Sequence, residues 1–187
     1  VMNSANNRKK QMGVFTIELA MILLAFSLII VFSMDVVVKQ TVKGKLDRLS
    51  YSLVSLLRER SQLFDGDESM THDEATKSLA LIERSLSSTM NTFDIQRLGM
   101  VIEQQRFDSN NNPIPPVANV HIFTLGSYSC EPEEPLVTKI DLSPLSQFDN
   151  KLTLYQVSLC YRTDNWFGNL AGESFERVRS ISLSFGR

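Results

Sequence analysis

Gly13 closes a short basic leader, Val14 follows it, and Glu18 is the fifth residue counted from Val14. A peptidase cutting after Gly13 would leave a positive amine on Val14, about one helical turn from the Glu18 carboxylate. A charge inside lipid is costly and persists only where a partner neutralises it or where it reaches the interface. Two readings of Glu18 follow. It is either paired with such an amine, or it snorkels to the headgroups from the first turn of an ordinary anchor.

The remaining candidates for chemistry are few. Cys130 and Cys160 are the only cysteines and do not form a CxxC pair, which gives little support to redox catalysis or a zinc site. In an oxidising compartment they would close a loop of about 30 residues, worth on the order of 3 kcal/mol in the chain-entropy model. The alternative is two free thiols, one of them buried in a strand. His72 sits beside a helix cap and His121 in an expected strand, and neither has the company of a base or ligand set. No GxSxG, HExxH or GxxxxGK[ST] motif occurs, so neither an enzyme nor a cofactor is expected. Asp65-Gly66-Asp67-Glu68 with Asp73 and Glu74 lacks the glycine and the final glutamate of an EF-hand loop, and a solvated turn is expected there, with no metal. Trp166, the single tryptophan, sits in Asp164-Asn-Trp-Phe-Gly168. Core packing is its default fate, and a partner contact is the other reading.

These residues need elements to position them. Between Val14 and Met34 the only ionisable residue is Glu18, and no Gly or Pro interrupts the run. At about 1.5 Å per residue, such a helix matches a hydrocarbon layer of about 30 Å. The basic cluster Arg8-Lys9-Lys10 precedes it, but Lys39, Lys43, Lys45 and Arg48 follow, so the positive-inside rule nearly balances. The leader pattern and the position of the cysteines place the N-terminus in the cytoplasm. The run ends Phe32-Ser33-Met34-Asp35-Val36 without an A-x-A-like site, and no cysteine lies near it for lipoprotein processing. An uncleaved anchor or a cut before the apolar run remains. The Gly13–Glu18 spacing is that of a prepilin-type signal. The chain starts Val1-Met2, which leaves Val1 or Met2 as the first residue.

The formal charge of −2 gives no reason to expect nucleic acid as a partner. Loss of Arg8, Lys9 and Lys10 with the leader would leave 16 bases against 21 acids, a charge of −5.

The run Gln11-Met-Gly-Val-Phe-Thr-Ile-Glu-Leu-Ala-Met-Ile-Leu-Leu24, Asp35, Gly44-Lys-Leu-Asp-Arg-Leu-Ser-Tyr-Ser-Leu53 and Arg58-Glu-Arg60 resembles the TadF family. These are minor pseudopilin-like proteins of the Tad (Flp) tight-adherence pilus. The two later cysteines agree with that resemblance. Leu19, where many TadE-like relatives carry Phe, and the long segment beyond the helix both separate the chain from its neighbours in the system, the major Flp pilin included. The resemblance implies cleavage after Gly13 by a TadV-like prepilin peptidase, and a role in assembling or initiating the pilus. It also implies contacts with TadE-like subunits, the Flp pilin and the inner-membrane assembly platform. In resembling pilins the equivalent of Glu18 pairs with the N-terminal amine of a neighbouring subunit. The expected place is the inner membrane, with the C-terminal domain periplasmic and incorporation into the pilus left open. The other reading is an uncleaved single-pass protein with a periplasmic scaffold or sensing domain.

Beyond the span, Val42, Leu46, Leu49, Leu53 and Leu56 recur at steps of four and three, a stripe suited to a helix that rests on a globular domain. A short coiled coil would share that spacing. Asp65-Gly66-Asp67 should end the helix, and Thr71 with Glu74 should form a capping box for a second helix carrying Leu79, Ile82, Leu86 and Met90. After Asn91 the period becomes two, with strands expected at 99–107, 119–129, 151–162 and 178–185 and a loop over Asp108–Pro116. The expected fold is α+β and type IV pilin-like, a long N-terminal transmembrane helix continuing into a domain with an antiparallel sheet. Its divisions are a leader at 1–13, a span at 14–34, an amphipathic stalk at 35–64 and a periplasmic domain at 65–187.

Overall fold

A computed structural model describes residues 4–63 and 69–186, with side chains from residue 15 onward except those of residues 61 and 63. The apolar run and the stripe beyond it belong to one helix, α1 (Ser4–Arg58), whose only weak helix formers of the glycine or proline kind are Gly13 and Gly44. Glu59 is a turn, and the single further turn α2 (Arg60–Leu63) follows it. The expected stop at Asp65-Gly66-Asp67 lies outside the described residues. Two compact units divide the chain: Val1–Lys39 with Asp164–Phe175, and Gln40–Thr163 with Glu176–Arg187.

In the second unit, the stripe on α1 is present but rotated from the expected one. Val42, Leu46 and Leu53 are buried and Leu49 is half-buried, while Leu56 is exposed and Val54 and Leu57 are buried in its place. The cause is the period. Steps of four and three average 3.5, whereas a straight helix turns every 3.6 residues, so a 3.5 stripe slides off the buried face within two heptads.

Helix α3 (His72–Thr89) starts as expected. The Thr71 hydroxyl accepts from Glu74 N–H at 3.4 Å, and a Glu74 carboxylate oxygen accepts from Thr71 N–H at 2.8 Å. The same carboxylate accepts from Nη2 of the buried Arg60 at 3.0 and 2.9 Å. At the other end, Lys45 Nζ donates to the Thr89 carbonyl at 2.5 Å, which supplies a cation to the helix C-terminus. Ala75, Ile82, Leu86 and Met90 face the core.

Four strands form one antiparallel sheet in the order β2-β1-β3-β4: β1 (Leu98–Gln105), β2 (Ile122–Gly126), β3 (Leu154–Arg162) and β4 (Arg177–Phe185). The α+β class and all four strands agree with the sequence pattern, but the second strand is shorter than expected. His121 ends a turn just before β2: its Nδ1 accepts Val117 N–H at 3.2 Å and its carbonyl accepts Gln104 N–H of β1 at 2.7 Å, so it stands where the loop joins the ladder. One face, carrying Leu98, Met100, Ile102, Phe123, Val157 and Leu159, joins the core with α1 and α3. On the same face β4 presents Ser180 and Ser182. Their hydroxyls lie 2.8 Å from Ser50 Oγ on α1, and Ser180 also donates to Asp47 Oδ1 at 2.6 Å. Small hydroxyl residues thus let α1 come close to the edge strand while its polar groups stay bonded.

The other face carries Val101, Gln156, Glu103 and Cys160. The connection from β2 to β3 crosses it, with 3₁₀ turns over Leu136–Leu142. The buried Glu103 accepts from Leu136 N–H at 3.1 Å and from Gln156 Nε2 at 2.7 Å. Cys130, early in that connection, is disulfide-bonded to Cys160 on β3 across a Cα–Cα distance of 5.3 Å, with Val101, Ile122 and Tyr128 around the bridge.

Two outcomes test these contacts. In full-length protein purified without reductant, no thiol should alkylate until the chain is reduced, and replacing both cysteines with Ser should cost about 3 kcal/mol by denaturant unfolding in detergent. Two alkylated cysteines per oxidised chain would refute the bridge. Burial works against the charge on Asp47, but hydrogen bonds from Lys43 and Ser180 outweigh it and hold the carboxyl below its ordinary value of 3.8. A depressed folded pKa contributes stability above the ordinary carboxylate range, and that contribution is lost as pH falls through the folded value. Asp47→Asn should therefore flatten the loss of stability below about pH 4 and change its slope little near neutrality.

Candidate membrane and assembly surface

The lower part of α1 has almost no protein around it. From Phe15 to Met34 every side chain is exposed except Val31, which is half-buried, and Met21 reaches 72% exposure. A soluble core helix would be covered. This one is long and apolar enough to cross a membrane, and it offers its whole circumference for lipid or for other helices. Both of its serine hydroxyls are consumed internally: Ser27 donates to Leu24 O and Ser33 to Ile29 O, both at 2.8 Å. Such back-bonding leaves the surface apolar, as a hydrocarbon environment requires.

Glu18 is exposed on this surface. The side chains of Gly13 and Val14 lie outside the described residues, but both positions are within α1. Val14 and Glu18 are four residues apart, so helical geometry sets them on one face, separated by about 6 Å of rise.

At the upper end of the apolar run the helix acquires neighbours within its own unit. Asp35 is buried and forms an ion pair with Lys39, one turn on. A short helix, α4 (Trp166–Ala171), lies in the segment between β3 and β4. The Phe167 ring meets Phe32 edge to face, with centroids 4.9 Å apart, and Lys39 Nζ lies 6.0 Å from the Phe175 ring centre. Asn165 ties the two ends of this segment together. Its Nδ2 donates to Glu173 O at 2.8 Å, and its Oδ1 accepts from Phe175 N–H at 3.1 Å. Gly168 is required under that bridge, because a Cβ there would lie 2.1 Å from the Asn165 amide oxygen. Gly172 ends α4 at φ +76°. Trp166 departs from the default fate given to it by the sequence: it is 55% exposed, because Phe167 makes the inward contact instead.

The sequence pattern did not find the cluster of Phe32, Asp35, Lys39, Phe167 and Phe175. The available signal was Asp35 directly after the apolar run, four residues before Lys39. Among the described residues, no three His, Cys, Asp or Glu side chains converge on a common point. Asp73 and Glu74 are engaged instead with Lys77 and Arg60, and the run 65–68 lies outside the described residues.

A family model described as "Putative tight adherence pilin protein F" (TadF) matches residues 6–187. None of the curated proteins and none of the solved structures matches the chain.

The Asn165 bridge gives a direct test of the loop. Asn165→Ala removes three neutral hydrogen bonds, those with Glu173 O, Phe175 N–H and Asn169 Oδ1, about 1 kcal/mol each. Amide exchange should rise roughly tenfold or more across residues 166–175 and stay unchanged in β1 and β3. Unchanged exchange in the loop would show that the bridge does not hold it.

Proposed function

The chain belongs to the tight adherence pilin protein F family, and from that premise we propose that it is a minor pseudopilin cut after Gly13 by a TadV-like prepilin peptidase. It is a membrane protein of a pilus system with one long apolar helix near its N-terminus. The single observation that carries the reading is an exposed apolar helix surface bearing one carboxylate, Glu18, one turn above the amine that cleavage would create. Uncovered in this way, α1 packs beside other apolar helices only where Glu18 finds a cation, so the carboxylate sets register by penalising misaligned neighbours. The cation is the Val14 amine, most usefully that of an adjacent subunit.

The role is structural, not catalytic. The N-terminus faces the cytoplasm and the disulfide-bonded unit faces the periplasm, where an oxidising environment sustains the Cys130–Cys160 bridge. The neighbours are TadE-like subunits, the Flp pilin and the inner-membrane assembly platform, and the step served is assembly or initiation of the pilus.

N-terminal sequencing of the membrane-bound product tests the cut: the mature chain should begin at Val14. A product that retains its leader in cells with an active prepilin peptidase would instead support an uncleaved anchor with a periplasmic scaffold domain. Glu18→Ala should still be cleaved but should abolish pili, read by electron microscopy and sheared-pilus yield. Full piliation by that variant would reduce Glu18 to a snorkelling residue.

A further inference from the structure

The aromatic segment between β3 and β4 has a place in the fold that neither cleavage nor helix packing accounts for. Phe32 lies near the end of the apolar run that starts at Val14, so its height on α1 is the height of the outer edge of the hydrocarbon layer. Phe167 is seated on Phe32, with ring centroids 4.9 Å apart. Lys39, beside Phe175, stands seven residues above Phe32, a rise of about 10 Å. The contacts of this segment with α1 therefore span the polar-apolar boundary layer, into which interfacial segments bury about 5–10 Å.

Its exposed residues suit that layer. Trp166 and Leu170 are one helical turn apart on α4 and are 55% and 65% exposed. Phe175 is 52% exposed on its remaining surface. In water these three large apolar side chains would be an uncompensated cost, and a tryptophan is the residue most at home at the headgroup level. Asn169 and Glu173 are also exposed, so the segment is too polar for the hydrocarbon centre but acceptable at headgroup depth. The loop is also held in shape by the Asn165 bridge, so the apolar group is presented without a large ordering cost on contact.

We infer that Trp166, Leu170 and Phe175 form an interfacial anchor that dips into the outer boundary of the same phospholipid bilayer that α1 crosses. The occupant is lipid because the patch is continuous, through the Phe167–Phe32 contact, with helix surface that is already lipid-facing. The anchor makes a second attachment of the chain to the bilayer, some 130 residues after the first, and fixes the depth of the loop against the end of the span.

The inference rests on α1 being the span, and the experiment separates the two. Trp166 is the only tryptophan, so the full-length protein reports on this loop without labelling. The protein is reconstituted at low density in phosphatidylcholine vesicles whose acyl chains carry bromine either near the headgroup or near the methyl end. Trp166 emission should be blue-shifted, protected from acrylamide several-fold, and quenched more strongly by the shallow bromolipid than by the deep one. As the control for the span, Phe26→Trp in a Trp166→Phe background should be quenched mainly by the deep bromolipid. If that control holds while Trp166 emits as a water-exposed indole without lipid quenching, the anchor is refuted and the span stands. If the control also escapes quenching, both are refuted. Protection of Trp166 that appears only as protein density rises would assign the patch to a second copy of the chain and overturn the lipid anchor.

Discussion

A helix that is apolar on every side and has no protein against it must be covered by something other than water. That constraint governs the first unit of this chain. It explains why Ser27 and Ser33 return their hydroxyls to their own helix, and why Glu18 stands out as the single charge that the covering medium must accommodate. It also explains why charge reappears at Asp35 in a paired form, with Lys39 one turn away, so that the first ionisable residues beyond the run neutralise each other. Aromatic side chains gather at the same height, where a ring tolerates a boundary between oil and water.

The same helix meets a different problem in the second unit, where only one side of it is buried. There the apolar stripe of Val42, Leu46, Leu53 and Leu57 supplies the non-directional part of the packing. Direction comes from hydroxyls. Ser50 and Asp47 engage Ser180 and Ser182 on β4, and these bonds are satisfied only in one rotational and axial setting of the helix on the sheet. The opposite face of the sheet is sealed by the β2–β3 connection, and it is held by a carboxylate–amide pair and a disulfide more than by bulk apolar burial. A thin cover with few apolar residues gains most from such a covalent tie.

Much of the fold was legible in the sequence. The apolar run is visible because lipid demands uniformity, which composition records directly. The Thr71–Glu74 cap and the four strands were visible because both signals are local, one a spacing of three and the other a period of two. The failures have different causes. Leu56 lies off the buried face because a 3.5-residue stripe drifts on a straight helix, and His121 closes a local turn onto Val117. Trp166 is exposed because the Phe167 beside it meets Phe32, a neighbour distant in sequence. The serines of β4 belong with Trp166. Alternation announced a two-faced strand but could not say that the hydroxyl face would turn inward, because that depends on Ser50 and Asp47, about 130 residues away.

The sequence by itself determined that this chain carries a membrane-capable helix with a single carboxylate near its start and an α+β domain after it. Those properties follow from hydrophobic content and short-range periodicity, which depend on no folded partner. Only the tertiary structure decided which face of the stalk and of β4 meets the core. It also decided that the segment after β3 returns to the end of the span, with Phe167 on Phe32. Such pairings are chosen by shape and hydrogen-bond geometry between elements, and no window of neighbouring residues contains both halves of the choice.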